Sequence, residues 1–207
     1  MSENIPAVIL AGGQSRRMGG AAKFRIRIGG MTLLEHVIAR LRPQTGEILL
    51  NLNDPAATDF DPAIAIRPDG IGGYLGPLAG ILTGLDYYLQ QGSPARHMLS
   101  APIDTPFLPA DLTCRLMEAA AKSPDAIILA RSSGRVHPVI ALWPLSLRDD
   151  LHDALVAGEI RKVRDFILRH PSREVEWMAE RGKDPFFNIN RPEDIETARA
   201  RLQLSPP

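Results

Sequence analysis

Ala7-Val8-Ile9-Leu10-Ala11, closed by Gly12-Gly13, is the stretch that decides the fold. Five consecutive apolar residues with no polar alternation are the pattern of a strand buried on both faces, the usual condition in a parallel sheet. Two glycines at its end free the backbone to present N–H groups to a ligand. Further apolar runs at 47–50, 63–66, 97–101, 126–130 and 136–142 read as strands. Residues 24–28 alternate and read as a short strand turning at Gly29-Gly30, 174–178 as a short edge strand, and 186–189 as a last extended piece.

Helical patterns separate these runs. Thr32 is placed to cap a helix with the stripe Leu33, Leu34, Val37, Ile38 and Leu41. Pro77 opens a helix striped by Leu78, Ile81, Leu82, Leu85 and Leu89, and Pro109 opens another with Leu112 and Leu116. Residues 145–156 and 161–168 read as helices, and Pro192 begins a final one with Glu193 and Asp194 at its positive end. Strands alternating with helices predict a three-layer, Rossmann-like α/β fold with a mostly parallel sheet. In such sheets ligands bind at the carboxyl ends of strands. Gly12, Asn51, Asp69 and Asp104 each follow a predicted strand, so one shared site is expected.

Composition narrows the function. The 207 residues suit one domain, and 24 basic side chains balance 24 acidic ones. A net charge of zero removes any whole-protein attraction to nucleic acid or membrane. A polyanionic ligand must then be held by local cations and backbone amides. Residues 1–6 lack the basic and apolar runs of a signal peptide, and no apolar run approaches membrane-spanning length, so a cytoplasmic protein is expected. Cys114 is the only cysteine, which rules out an intrachain disulfide. It reads as a small buried hydrophobe.

The loop after the first strand is Leu10 to Lys23, LAGGQSRRMGGAAK. Gly12, Gly13, Gly19 and Gly20 free the backbone, Ser15 adds a hydroxyl, and Arg16, Arg17 and Lys23 add positive charge. A triphosphate needs both amide donors and cations. The loop is not a P-loop, which requires Lys-Ser/Thr after its last glycine, and it lacks the G-x-G-x-x-G of a dinucleotide site.

LAGGxSxRMGxxK resembles the signature loop of the small nucleotidyltransferases, and within them the molybdenum cofactor guanylyltransferases. The similarity extends in order through Asn51-Leu52-Asn53, Gly76-Pro77-Leu78-Ala79-Gly80 and Ala101-Pro102-Ile103-Asp104-Thr105-Pro106. It continues through His137-Pro138, Gly158-Glu159-Ile160-Arg161 and Asn188-Ile189-Asn190-Arg191-Pro192. One position departs: the acidic residue usual before the loop lysine is Ala22 here.

The resemblance implies a nucleotidyltransferase fold in one domain over 1–207, with a nucleotide-binding N-terminal part and a cofactor-binding C-terminal part. It implies GMP transfer from GTP to the terminal phosphate of molybdenum-molybdopterin. GTP is expected on Leu10, Ala11, Gly12, Gly13, Lys23, Asn51, Asp69 and Asp104. The catalytic set is Lys23, Arg17 and Asp104, with magnesium (Mg2+) on Asp104. Asp69 is a nucleotide contact, to ribose or through the metal, and a plain Asp-Gly turn is its competing reading. Arg161, Asn188 and Asn190 are expected to hold the pterin cofactor, although a solvated helix face explains Arg161 equally well. Transient contacts with cofactor-synthesis proteins and molybdoenzymes are implied, with no nucleic acid and no membrane. A cytidylyltransferase on the same cofactor and a non-catalytic nucleotide or cofactor carrier stay open as alternatives.

Overall fold

The computed structural model describes residues 5–12, 23–54, 61, 63–72, 76–158, 160–179 and 183–203. In chain order they form β1 (Ala7–Leu10), β2 (Arg27–Ile28), β3 (Met31–Thr32), α1 (Leu33–Leu41), β4 (Ile48–Asn51), β5 (Ala65–Arg67) and α2 (Pro77–Gln90). There follow β6 (His97–Pro102), α3 (Leu112–Lys122), β7 (Ile127–Ser132), β8 (Arg135–Pro144), α4 (Arg148–Val156), α5 (Val163–Ile167), β9 (Ser172–Trp177) and α6 (Pro192–Gln203).

Seven strands make one sheet in the order β5-β4-β1-β6-β8-β7-β9. β8 is antiparallel to both of its neighbours, and the other ladders are parallel. The expected three-layer α/β class is therefore what forms. Side chains alternate across it as a doubly covered sheet requires. Ala7, Ile9, Ile48, Leu50, Leu99 and Ala101 pack on one side with the stripes of α1 and α3. Val8, Leu10, Leu49 and Met98 pack on the other with α2, α4 and α5.

Local chemistry sets the helix starts. Thr32 Oγ1 accepts from Glu35 N at 3.1 Å while Glu35 Oε2 accepts from Thr32 N at 2.6 Å, a reciprocal cap. α2 begins with Gly76 and Pro77 and has no side-chain cap. It lies very close to the sheet: a Cβ at Gly80 would stand 2.3 Å from Asn51 Oδ1 and 2.8 Å from Leu10 Cδ2. Only glycine allows that approach. α6 closes the chain over the small β2–β3 hairpin, where Ile28, Leu33, Ile189 and Ala198 form a third cluster.

Four expectations need correction. Lys23–Arg25 is a single 3-10 turn rather than the start of a strand, so the hairpin strand begins at Arg27. Residues 186–189 join no ladder and are held instead by side-chain and turn hydrogen bonds. Pro109 does not open α3; it and Asp111 form the preceding turn, with Leu112 N on Pro109 O at 3.3 Å. Cys114 is exposed, because the α3 stripe is Leu112, Leu116 and Ala120 and position 114 points away from it. No helix among the described residues is long and apolar enough to cross a membrane.

Candidate active site

The carboxyl ends of β1, β4 and β6 open onto one cavity of about 620 Å³, a size suited to a ligand of nucleotide scale. Leu10, Ala11, Gly12, Lys23, Asn51, Asp69, Asp104 and Asn188 line it, together with Gly76 and Pro77 at the start of α2. Most of the residues singled out in the sequence thus converge. Parallel pairing is the cause: Leu10 sits opposite Asn51 on one side and Pro102 on the other, so the residues that follow emerge side by side.

Lys23 and Asp104 form the charged centre. Lys23 Nζ donates to Asp104 Oδ2 at 2.7 Å and to Asn190 Oδ1 at 2.7 Å. The ion pair is largely enclosed, with 19% and 15% of the two side chains exposed. Asp104 Oδ1 is buried and has no hydrogen-bond partner among the described residues. A buried carboxylate oxygen without a donor carries a desolvation penalty, and a cation supplied with a ligand would relieve it. Among the described residues no three His, Cys, Asp or Glu side chains converge to hold a metal. The single Asp104 oxygen left to a ligand fits a hard divalent ion that takes one carboxylate and fills its remaining positions with phosphate oxygens and water.

Asp69 is held by a different device. Its two carboxylate oxygens accept from Asn51 Nδ2 at 2.9 Å and Asn53 Nδ2 at 2.8 Å, and its backbone N–H donates to Asn53 Oδ1 at 2.7 Å. Gly70 N donates to Thr83 Oγ1 at 3.1 Å, which fixes the turn on α2. Each carboxylate oxygen keeps acceptor capacity for a ligand. Asn51 is only 2% exposed, and its donor is already engaged by Asp69 and, at 3.3 Å, by Arg67 O. Its geometry is that of a residue that orients Asp69. Gly12 is constrained by the same group, since a Cβ there would come within 2.9 Å of Asn53 Nδ2. The backbone of β1 is also partly committed: Ala11 N donates to Asn51 O and Leu10 O accepts from Ile103 N.

The remaining candidates divide. Asn188 lines the cavity and Asn190 reaches it through Lys23. Arg161 is exposed, with its backbone carbonyl beside Gly76 at the start of α2. Gly13, Arg16, Arg17 and Ala22 lie outside the described residues. Sequence reading missed the role of Asn53, although its position two residues after Asn51 on a strand end was a signal for a shared face. It also missed Val139, which a shift in the β7–β8 register brings to the cavity. Leu129 pairs with Ala141, yet Ala130 pairs with His137, so residues 138–140 bulge.

Fold and site together define a nucleotide-binding α/β protein of the nucleotidyltransferase class. Residues 7–174 match the MobA-like NTP transferase domain, and the chain belongs to that family. It is 48% identical to the molybdenum cofactor guanylyltransferase of Rhodopseudomonas palustris strain HaA2, over 97% of this chain and 94% of that one. Molybdopterin-guanine dinucleotide biosynthesis protein A from Archaeoglobus fulgidus has the same fold, with a TM-score of 0.74 at 23% identity over 97% and 100% of the two chains. A Mycobacterium tuberculosis protein solved in complex with manganese superposes with a TM-score of 0.67 at 15% identity, over 97% and 100%.

Proposed function

We propose that the chain transfers GMP from GTP to the terminal phosphate of molybdenum-molybdopterin, giving the molybdopterin guanine dinucleotide cofactor and pyrophosphate. The observation that carries this reading is the contact of Lys23 with Asp104 and Asn190, which joins the loop, the strand-end carboxylate and the C-terminal segment at one point. Identity of 48% over 97% of the chain to a protein named as a guanylyltransferase supports the choice of reaction.

The chemistry asks little of acids and bases. A phosphate monoester has its second pKa near ~6 and is largely dianionic at neutral pH, so the nucleophile needs no deprotonation. In keeping with this, no histidine lines the cavity among the described residues. The barrier is the approach of one anion to another and the charge that builds on the leaving pyrophosphate. Lys23, fixed from two sides, supplies a positive charge at that point. Arg17 of the loop is proposed as a second one. When bound at Asp104, magnesium would supply Lewis-acid neutralisation of phosphate oxygens.

Leu10, Ala11 and Gly12 line the nucleotide half, with Asn51 holding Asp69 toward the nucleoside, and Gly13 of the loop is proposed as a further GTP contact. The Asp69 carboxylate is acceptor-only and suits the ring N–H and exocyclic amine of guanine, whereas adenine offers an acceptor at the ring position. Asn188, Asn190 and Arg161 serve the molybdopterin. Residues 1–207 act as one domain in the cytoplasm, with transient contacts to cofactor-synthesis proteins and molybdoenzymes.

The test is product identity. Purified protein with GTP, magnesium and molybdenum-molybdopterin should yield a cofactor heavier by one guanylyl group, with one pyrophosphate released per turnover. Binding of GTP with no pyrophosphate released would instead support a carrier.

A further inference from the structure

The segment 184–190 carries Asn188 and Asn190 to the site without belonging to any helix or strand ladder along 186–190. Something must hold it, since loosely tethered backbone fails to fix a site to a few tenths of an ångström. Asp184 Oδ1 accepts from Ser132 Oγ at 2.7 Å and from Phe186 N at 2.9 Å. Ser132 is fully buried at the end of β7, and its Oγ also lies 2.8 Å from His137 Nε2. A hydroxyl has one proton. If Ser132 gives it to Asp184, then Nε2 of His137 must carry a proton and donate to Ser132. Burial, with Arg135 nearby, holds the His137 pKa below the usual imidazole value against the opposing pull of Asp184 and Glu176.

We propose that His137, Ser132 and Asp184 form a positioning relay that fixes the 184–190 segment over the Lys23–Asp104 pair. The relay starts at the β8 bulge, which turns His137 onto Ser132. It passes through Asp184 into the turn at Phe186, whose ring packs on His137 at 4.9 Å and on Trp177 at 5.4 Å between centroids. It ends where Ile189 N donates to Asp104 O at 2.8 Å and Asn190 meets Lys23. Arg201 closes the outer side by donating to Asp184 O at 2.9 Å. None of the three relay residues lines the cavity, so they act through Asn188 and Asn190. The inference rests on the reading that these two amides serve the acceptor substrate.

The test compares Asp184→Ala and Ser132→Ala with Asp184→Asn in the full chain. Asparagine keeps an acceptor oxygen for Ser132 and Phe186 N, and alanine does not. The first readout is amide hydrogen exchange over 185–190. The second is KM for molybdenum-molybdopterin set against the equilibrium Kd for GTP. The relay predicts faster exchange in both alanine variants and a KM raised on the order of 10-fold or more. GTP affinity should stay within about twofold. Asp184→Asn should lie near wild type in both readouts. Unchanged exchange in Asp184→Ala overturns the relay, and so does an equal loss of GTP affinity, which marks general damage. Faster exchange with unchanged KM overturns its functional half. If Asp184→Ala does not fold, Ser132→Ala decides by the same criteria. Absence of turnover in the wild-type protein would instead refute the proposed reaction, and the exchange data would still decide whether the relay exists.

Discussion

Lys23 Nζ donates at 2.7 Å to Asp104 Oδ2, a residue 81 positions further along the chain, and the same nitrogen reaches Asn190, 167 positions away. One ammonium thus ties three distant segments together. Lys23 has little exposed surface and cannot be read as a solvated loop charge.

Replacing Lys23 with alanine should lower kcat/KM by ~2–4 kcal/mol in barrier terms, the scale of losing one charged group that stabilises the transition state. Steady-state kinetics with GTP and molybdenum-molybdopterin check this. Unchanged kcat and KM would show that the ammonium is dispensable.

Asp104→Asn should retain the fold, because Ile189 N donates to the Asp104 backbone carbonyl rather than to the carboxylate, and the β6 ladder ends at Pro102. It should remove most metal-dependent turnover, since a formal charge and a strong oxygen ligand are lost together. Circular dichroism and a magnesium titration of activity distinguish the two effects. Near-normal turnover at ordinary magnesium concentrations would refute Asp104 as the metal-facing group.

Much of this arrangement is legible in the sequence. The unbroken run Ala7–Ala11 identifies a strand buried on both faces, observed as Ala7–Leu10, and Thr32 with Leu33 and Leu34 marks the start of α1. Both signals are local, with period and capping visible within a few residues. The strand-end residues Gly12, Asn51, Asp69 and Asp104 followed from topology alone. What stayed hidden depends on contacts between distant segments. That Asn51 spends its donor on Asp69 required β5 to lie beside β4. The bulge that brings Val139 to the cavity and His137 onto Ser132 has no period of its own, although Pro138 inside it was a signal of an interrupted ladder. The exposure of Cys114 follows from its helical phase on α3 and not from its residue type, which favours burial.

Asp69→Asn should weaken discrimination between bases. The new amide nitrogen would face Asn51 Nδ2 or Asn53 Nδ2, donor against donor, and would offer guanine one acceptor fewer. Preference for GTP over ATP should fall by roughly 10-fold or more, since each unpaired polar group costs roughly 1–3 kcal/mol. Relative kcat/KM for the two nucleotides measures this. An equal loss for both would move the Asp69 contact from the base to the ribose.

His137 makes stability depend on pH. Its folded pKa lies below the unfolded imidazole value, chiefly through burial. As pH falls through the unfolded pKa, near ~6.5, the unfolded state takes up the proton first. Stability is then lost progressively until the folded pKa is passed. The urea midpoint should therefore rise from pH 5 to pH 7, and His137→Gln should flatten that rise. An identical slope in the variant would remove His137 as its source.

A nucleotide panel separates guanylyl transfer from transfer of any other nucleotide. Pyrophosphate release is followed with molybdenum-molybdopterin and GTP, ATP or CTP at equal concentration. Adenine mismatches the acceptor-lined pocket, and cytosine loses purine stacking area as well. Guanylyl transfer requires kcat/KM for GTP to exceed that for ATP and CTP by ~10² or more, on the scale of two mismatched polar groups. Equal turnover of GTP and CTP would contradict it.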